Sequence, residues 1–109
     1  MEVQVFGVRN SADTRAALRF FAERRVKVHF VDLNERAAAP GELRRFADKF
    51  GLQALLDRES RRFAELGRPV ATLARLSLEP LLLRMPLVRH QRQLTIGAAE
   101  ATWKEWMNP

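Results

Sequence analysis

Alternating apolar and polar residues near the start of the chain predict two strands separated by a helix. Glu2 to Phe6 alternates with a period of two, and Val26 to Leu33 does the same with β-branched and aromatic residues. Apolar positions between them recur at the three- and four-residue spacing of a buried helix face: Ala17, Leu18, Phe21 and Ala22. A helix running from Ser11 to about Arg24 makes this a β-α-β unit, with parallel strands and a right-handed crossover.

The middle of the chain has helical patterns. Pro40 suits the first turn of a helix from Gly41 to about Phe50, and Gly51 suits its C-terminal stop. Three further segments follow: a helical turn at 52–56, a polar stretch at 57–67 with Phe63 and Leu66 as anchors, and one or two helices at 72–83 with a break at Pro80. We therefore expect a helical insertion at about residues 40–83.

The last third of the chain predicts a hairpin and a final helix. Leu87 to His90 and Gln93 to Ile96 are the two strands, and the helix runs from Ala98 to Met107. Trp103 and Trp106 lie three residues apart on this helix, where we expect them to pack in a core rather than stack on bases. The whole order predicts a single α/β domain over 1–109, with a four-stranded mixed sheet flanked by helices.

Length and hydropathy predict a small soluble domain. The chain has 109 residues, of which 47% are apolar, which is enough for one small core. No apolar run approaches the roughly 20 residues of a membrane span. The opening Met1-Glu2-Val3 lacks the basic and apolar regions of a signal peptide. We expect a cytoplasmic protein, without a membrane association and monomeric.

Positive charge adds one open question. Nineteen Lys and Arg residues face thirteen Asp and Glu residues, for a net charge of +6. An anionic partner would explain this excess, and so would an arginine-rich composition with no binding role. The scattered arginines favour the second interpretation, and no recognised nucleic-acid motif accompanies them.

Cysteine is absent from the sequence. Disulfides, thiolate metal sites and cysteine catalysis are therefore excluded for the chain as it stands. The two histidines are isolated from each other, which argues against a metal site.

The junction after the first strand is the candidate functional site. Gly7 ends the strand, and Asn10, Ser11 and Asp13 are all suitable N-caps for the helix that follows. In open α/β sheets ligands bind at the carboxyl ends of strands, and a helix N-terminus there favours anions. For Ser11 we favour the capping role. Serine nucleophile chemistry needs an adjacent base, and neither His29 nor His90 is clearly placed to supply one.

Five stretches together resemble one known family. They are FGVRNSADTRAA (6–17), FVDL (30–33), LLDR (55–58), EPLLLRMPLV (79–88) and QLTIG (93–97). Their order and spacing resemble the ArsC-type arsenate reductases, a family that also includes the Spx regulators and the YffB-like proteins. The resemblance covers essentially the whole chain and implies a thioredoxin-like fold with an ArsC-type helical insertion.

The resemblance also implies which residues form the site, and where the chain departs from the family. Ser11 stands at the position of the catalytic cysteine, so it is the candidate catalytic residue and is expected to be inactive. Thr14 stands where some members have a second cysteine, and Met85 stands where the reductases have an arginine before a proline that is usually cis. The implied ligand-binding residues are Asn10, Ser11, Thr14, Arg15, Arg58, Arg84 and Pro86.

Three functions stay open at this point. The preferred one is a redox-inactive binding or regulatory module with a protein partner, which by analogy with Spx would be RNA polymerase. The second is a glutathione- or oxyanion-binding enzyme of the oxidoreductase family, in which Ser11 orients the thiol while Arg15 and Arg84 hold carboxylates. The third is an arsenate reductase in which Ser11 replaces a natural cysteine. Whether the chain is an enzyme is thus undecided, and glutathione is the only cofactor that these alternatives name.

Overall fold

The computed structural model describes residues 1–108, which form four strands and six α-helices. The strands are β1 (Glu2–Gly7), β2 (Lys27–Asp32), β3 (Leu87–His90) and β4 (Gln93–Ile96). The helices are α1 (Ala12–Glu23), α2 (Pro40–Phe50), α3 (Leu52–Leu55), α4 (Arg61–Glu65), α5 (Leu73–Leu78) and α6 (Glu100–Met107), with a 3₁₀ turn at Pro80–Leu82. Within residues 1–108, none of these helices is long and apolar enough to cross a bilayer.

The chain divides into two compact units. Residues 1–33 and 85–109 form the sheet unit, and residues 34–84 form the helical unit. The helical unit encloses the predicted insertion at about 40–83. Whether the two units act as a single domain stays a prediction.

The sheet has the predicted mixed topology, with the strand order β2-β1-β3-β4. β1 pairs in parallel with β2 and antiparallel with β3, and β3 pairs antiparallel with β4. Phe6 lies opposite Val31 on one side and Leu87 on the other. The carboxyl end of β1 therefore lies in the middle of the sheet, between its two neighbours.

One face of the sheet carries the core of this unit. Val3, Val5 and Val88 pack against α1 and against Trp103 of α6. The Trp103 ring lies 5.1 Å from the ring of Phe21, and its Nε1–H donates to Thr95 Oγ1 at 2.8 Å. This bond satisfies the indole inside the core, so the expected packing role of Trp103 is confirmed.

The buried face of α1 differs from the predicted one. Its buried residues are Thr14, Ala17, Phe20 and Phe21, whereas Leu18 is only half-buried and Ala22 is exposed. Phe20 lies against the Trp103 ring at 5.4 Å and under the Arg24 guanidinium at 3.8 Å. With these two contacts, the buried face of α1 is centred nearer to Phe20 than predicted. The helical spacing of the apolar residues does not by itself show which of two neighbouring faces is buried.

The helical unit has one helix more than predicted. α2 begins at Pro40, as expected, and the Ala39 N–H donates to the Glu42 carboxylate at 3.0 Å. Burial on its own would raise the pKa of Glu42. The hydrogen bonds from the Ala39 N–H and from Arg36 have the larger combined effect, so the pKa of Glu42 lies below its usual value. The polar stretch at 57–67 contains α4, whose Phe63 N–H donates to the capping Ser60 Oγ at 3.1 Å, and Phe63 is buried as the predicted anchor. A five-residue helix with one buried side chain shows too little periodicity to be predicted.

Candidate functional site

Ser11 is the N-cap of α1. A turn after β1 brings the Ser11 N–H to the Val8 carbonyl at 3.0 Å. Its Oγ then accepts the Thr14 N–H at 3.1 Å, and its carbonyl accepts the Arg15 N–H at 3.0 Å. The extended backbone of Ser11, with φ −77° and ψ 121°, is the usual conformation of a cap. The serine therefore has a complete structural role as a helix cap.

Thr14 is a packing residue rather than an exposed ligand. The sequence predicts it in the ligand site, but its side chain has no exposed surface. Its hydroxyl finds no hydrogen-bond partner within residues 1–108. A Cβ atom placed on Gly7 would lie 2.7 Å from Thr14 Cγ2, so the helix approaches the strand as closely as a glycine allows. The Thr14 side chain thus leaves no surface for a ligand to contact.

Two arginines cover the turn between β1 and α1. Arg15 Nη1 donates to the Arg9 carbonyl at 2.8 Å, and the Arg9 guanidinium lies 4.8 Å from the centre of the Phe30 ring. Asn10 is exposed within the same turn. This bond uses one of the five N–H donors of the Arg15 guanidinium.

Pro86 lies at the same end of the sheet as this turn. Leu87, the first residue of β3, pairs with Phe6, so Pro86 just before it lies beside Gly7. The Met85–Pro86 peptide bond is cis. Pro86 is buried, and its carbonyl accepts the Gly97 N–H at 2.8 Å. The structure thus gathers Asn10, Ser11, Arg15 and Pro86 at one end of the sheet unit.

Both histidines lie towards the other end of β1. His29 pairs with Gln4, and His90 Nδ1 lies 3.0 Å from the Glu2 carbonyl. At roughly 3.3 Å per residue, these positions are about 10 and 16 Å along the strand from Gly7. At that end of β1, a hydrogen bond from Lys27 and its positive charge lower the pKa of Glu2, and His29 lowers it further. Neither imidazole can therefore serve as a base for Ser11.

Arg58 and Arg84 come together in the helical unit. A β-bridge pairs Leu56 with Leu83, and the Arg84 N–H donates to the Leu55 carbonyl at 2.8 Å. Arg58 donates to the Gln53 side chain. The two arginines line a surface pocket of about 590 Å³.

The lining of this pocket carries both signs of charge. Its other residues are Gln53, Ala54, Leu56, Asp57 and Glu59. Gln53 and Glu59 are not among the predicted site residues, because their meeting with Arg84 depends on the Leu56–Leu83 bridge. Elsewhere in residues 1–108, as here, no three histidine or carboxylate side chains cluster closely enough to hold a metal ion.

The mixed sheet and its strand order define the fold as thioredoxin-like. More particularly, solved structures of ArsC-related proteins are similar over nearly the whole chain. A YffB protein superposes with a TM-score of 0.84 at 15% identity, covering 94% of this chain and 96% of its own. An ArsC-family-related protein from Bacteroides fragilis gives 0.82 at 16% identity, covering 96% and 97%. An arsenate reductase from Vibrio cholerae gives 0.78 at 19% identity, also covering 96% and 97%.

Sequence comparison adds no closer relative. No known family profile matches the chain, and no curated protein matches it. The fold is therefore that of the ArsC-type proteins, and the function has to be argued from the site.

Proposed function

We propose that this chain is a redox-inactive binding protein built on the ArsC-type thioredoxin-like fold. The observation that carries this proposal is Ser11, which caps α1 with its hydroxyl oxygen and which the sequence resemblance aligns with the family's catalytic cysteine. A serine cannot form the mixed disulfide on which thiol redox chemistry depends, and the sequence contains no cysteine that could replace it.

Serine nucleophile chemistry is also disfavoured. Activation of a hydroxyl requires a base within hydrogen-bond reach, and both histidines lie towards the far end of β1. The turn keeps exposed polar groups on Asn10 and Arg15 next to buried Pro86. This arrangement is suited to holding a partner without reacting with it.

The proposed partner is another protein, and the Spx resemblance supplies RNA polymerase as the first candidate. The test is crosslinking of the full chain in cells, followed by mass spectrometry and by transcript profiling of a deletion strain. We expect a reproducible crosslink at residues 9–15 and altered transcript levels. No crosslinked partner, together with unchanged transcripts, would count against a binding or regulatory role.

A second candidate is binding of glutathione or an oxyanion, which the Arg58–Arg84 pocket favours. Glutathione carries two carboxylates and one ammonium group, and the pocket presents two guanidinium groups together with Asp57 and Glu59. Isothermal titration with glutathione and with arsenate tests this. We expect Arg58→Ala and Arg84→Ala each to weaken binding at least tenfold, and Arg61→Ala to leave it unchanged. No heat of binding at millimolar ligand would exclude this candidate.

The third alternative is decided by the natural gene. If its codon for residue 11 is cysteine, the natural protein has the nucleophile of the family, and the proposed inactivity does not apply to it. If the codon is serine, reduction of arsenate by this chain alone is excluded.

A further inference from the structure

Two leucines are exposed where α5 meets the 3₁₀ turn of the helical unit. Leu78, the last residue of α5, is 80% exposed, and Leu81 is 47% exposed. Single exposed apolar residues are ordinary on a soluble protein, but neighbouring large ones point to an interaction surface. We call Leu78 and Leu81 the leucine pair.

The backbone beneath the leucine pair is firmly held. The Glu79 N–H donates to the Arg75 carbonyl at 2.8 Å, and the Leu82 N–H donates to the Glu79 carbonyl at 3.0 Å. Arg62 of α4 donates two hydrogen bonds to the Glu79 carboxylate, from Nε at 2.9 Å and from Nη2 at 3.0 Å. Leu82 is fully buried below the surface. The pair is thus presented on a rigid support, which reduces the ordering cost of binding.

The segment of the chain that carries the leucine pair has a net positive charge. Residues 61–84 contain five arginines and two glutamates. Both glutamates lie within hydrogen-bonding distance of Arg62. Arg75 lies three residues before Leu78 on α5. Within residues 1–108 its guanidinium has no carboxylate within 4 Å, although its charge helps to lower the pKa of Glu79 from a longer distance. The segment therefore combines two exposed leucines with an excess of arginine over glutamate, and Arg75 makes no direct ion pair in it.

We propose that the leucine pair and Arg75 form a docking surface for an acidic segment of a partner protein that inserts apolar side chains. Apolar side chains of the partner would cover the leucine pair, and a carboxylate would pair with Arg75. The proposal adds a second contact surface, separate from the turn at residues 9–15, for the protein partner of the proposed function, and it rests on that function.

An acidic membrane surface would also attract arginines and leucines. The structure favours a protein segment, because Glu65 and Glu79 lie among the arginines and would oppose a continuous anionic surface. The apolar area is also only two side chains wide, whereas membrane adsorption strengthens with the apolar area that is buried.

The test uses the full chain and a displayed library of random peptides. Selection against the unchanged chain is paired with counter-selection on the double variant Leu78→Glu, Leu81→Glu. We expect the enriched peptides to contain leucine-sized residues flanked by Asp or Glu. Their affinity should fall at least tenfold on the double variant and on Arg75→Glu, and their binding should weaken as salt is raised.

Phe50→Glu is the matched control. Phe50 is also an exposed apolar residue, at 37%. Phe50 is the last residue of α2. Ser77, which is next to Leu78, donates to the Ala38 carbonyl and so lies near the opposite end of α2, just before its start. The length of α2, about 1.5 Å per residue, therefore separates Phe50 from the leucine pair. Circular dichroism melting of every variant checks that it folds, and we expect Phe50→Glu to retain full peptide affinity.

Each other outcome overturns the proposal. These outcomes are no enrichment, enrichment of basic peptides, equal binding to the double variant, and adsorption to phosphatidylserine vesicles that the double variant loses. If the crosslinking test finds a partner but the double variant still binds it, the docking surface is wrong and the binding function stands. If crosslinking and transcript profiling both fail, the binding function itself is wrong.

Discussion

Gly7 and Thr14 are in close contact where β1 passes α1. A side-chain carbon on Gly7 would lie 2.7 Å from Thr14 Cγ2 and 3.1 Å from Thr14 Cβ. Separations this short are not available to ordinary carbon contacts, so residue 7 has to lack a side chain while Thr14 occupies this position. The contact sets how closely the capped end of α1 approaches the sheet.

Gly7→Ala should therefore destabilise the fold. Forcing an extra methyl group into a packed contact costs about 1–3 kcal/mol, measured as the free energy of unfolding in urea. Thr14→Ala in the same chain should recover part of that loss, because it removes Oγ1 and Cγ2 but leaves Cβ in place. Additive losses in the double variant would show that the two residues do not press on each other.

Thr14→Val should be tolerated or stabilising. The Thr14 hydroxyl is buried without a partner, and an unsatisfied buried polar group costs about 1–3 kcal/mol. Valine keeps the shape and removes the polar atom, so the urea midpoint should stay level or rise. A clear fall in the midpoint would mean that the hydroxyl is hydrogen-bonded in solution.

Ser11→Ala should lower stability by about 1 kcal/mol, the usual cost of losing an N-cap. The lost contact is the bond from the Thr14 N–H to Ser11 Oγ. Ser11→Asp is the matched variant, because its carboxylate can accept the same bond and favours the positive end of the helix. If alanine and aspartate behave alike in thermal melts, the cap contributes nothing.

The Arg62–Glu79 pair should make stability depend on acid pH. Hydrogen bonds from Arg62 and its charge hold the pKa of Glu79 below its usual value of 4.5. A carboxyl with a lowered pKa in the folded state stabilises the fold above its unfolded pKa, and the benefit is lost as the pH falls through the folded value. We call the difference in the free energy of unfolding between the unchanged chain and Glu79→Gln the stability gap. It should thus be largest near neutral pH.

Urea unfolding at several pH values measures this gap. It should narrow as the pH falls below about 4.5. Glu65→Gln is the control, since Glu65 is more exposed and reaches Arg62 at only 3.5 Å. It should show a much smaller gap at every pH. A gap for Glu79→Gln that does not change with pH would show that the pair acts through packing alone.

The sheet and the α1 capping site could be predicted because their signals are local. Period-two alternation predicts β1 and β2, two short apolar runs around a polar turn predict the hairpin of β3 and β4, and the Ser11 cap follows from residue type next to an amphipathic helix. The solved ArsC-related structures agree with the resemblance over nearly the whole chain. Predictions of this kind need no knowledge of which distant residues meet.

The remainder depends on contacts between distant residues. Burial of Thr14 follows from the missing side chain of Gly7, which nothing near Thr14 in the helical pattern reveals. The shared pocket of Arg58 and Arg84 requires the bridge between Leu56 and Leu83, two residues far apart in the sequence. The ion pair that holds Glu79 likewise crosses from α4 to the end of α5.

Redox inactivity is tested most directly by the rate of arsenate reduction with glutathione and glutaredoxin, followed through NADPH consumption by glutathione reductase. The unchanged chain should give the rate of the protein-free reaction, and so should Ser11→Ala, since the hydroxyl at residue 11 only caps a helix. Turnover above background by the unchanged chain that is abolished in folded Ser11→Ala would contradict the proposed inactivity.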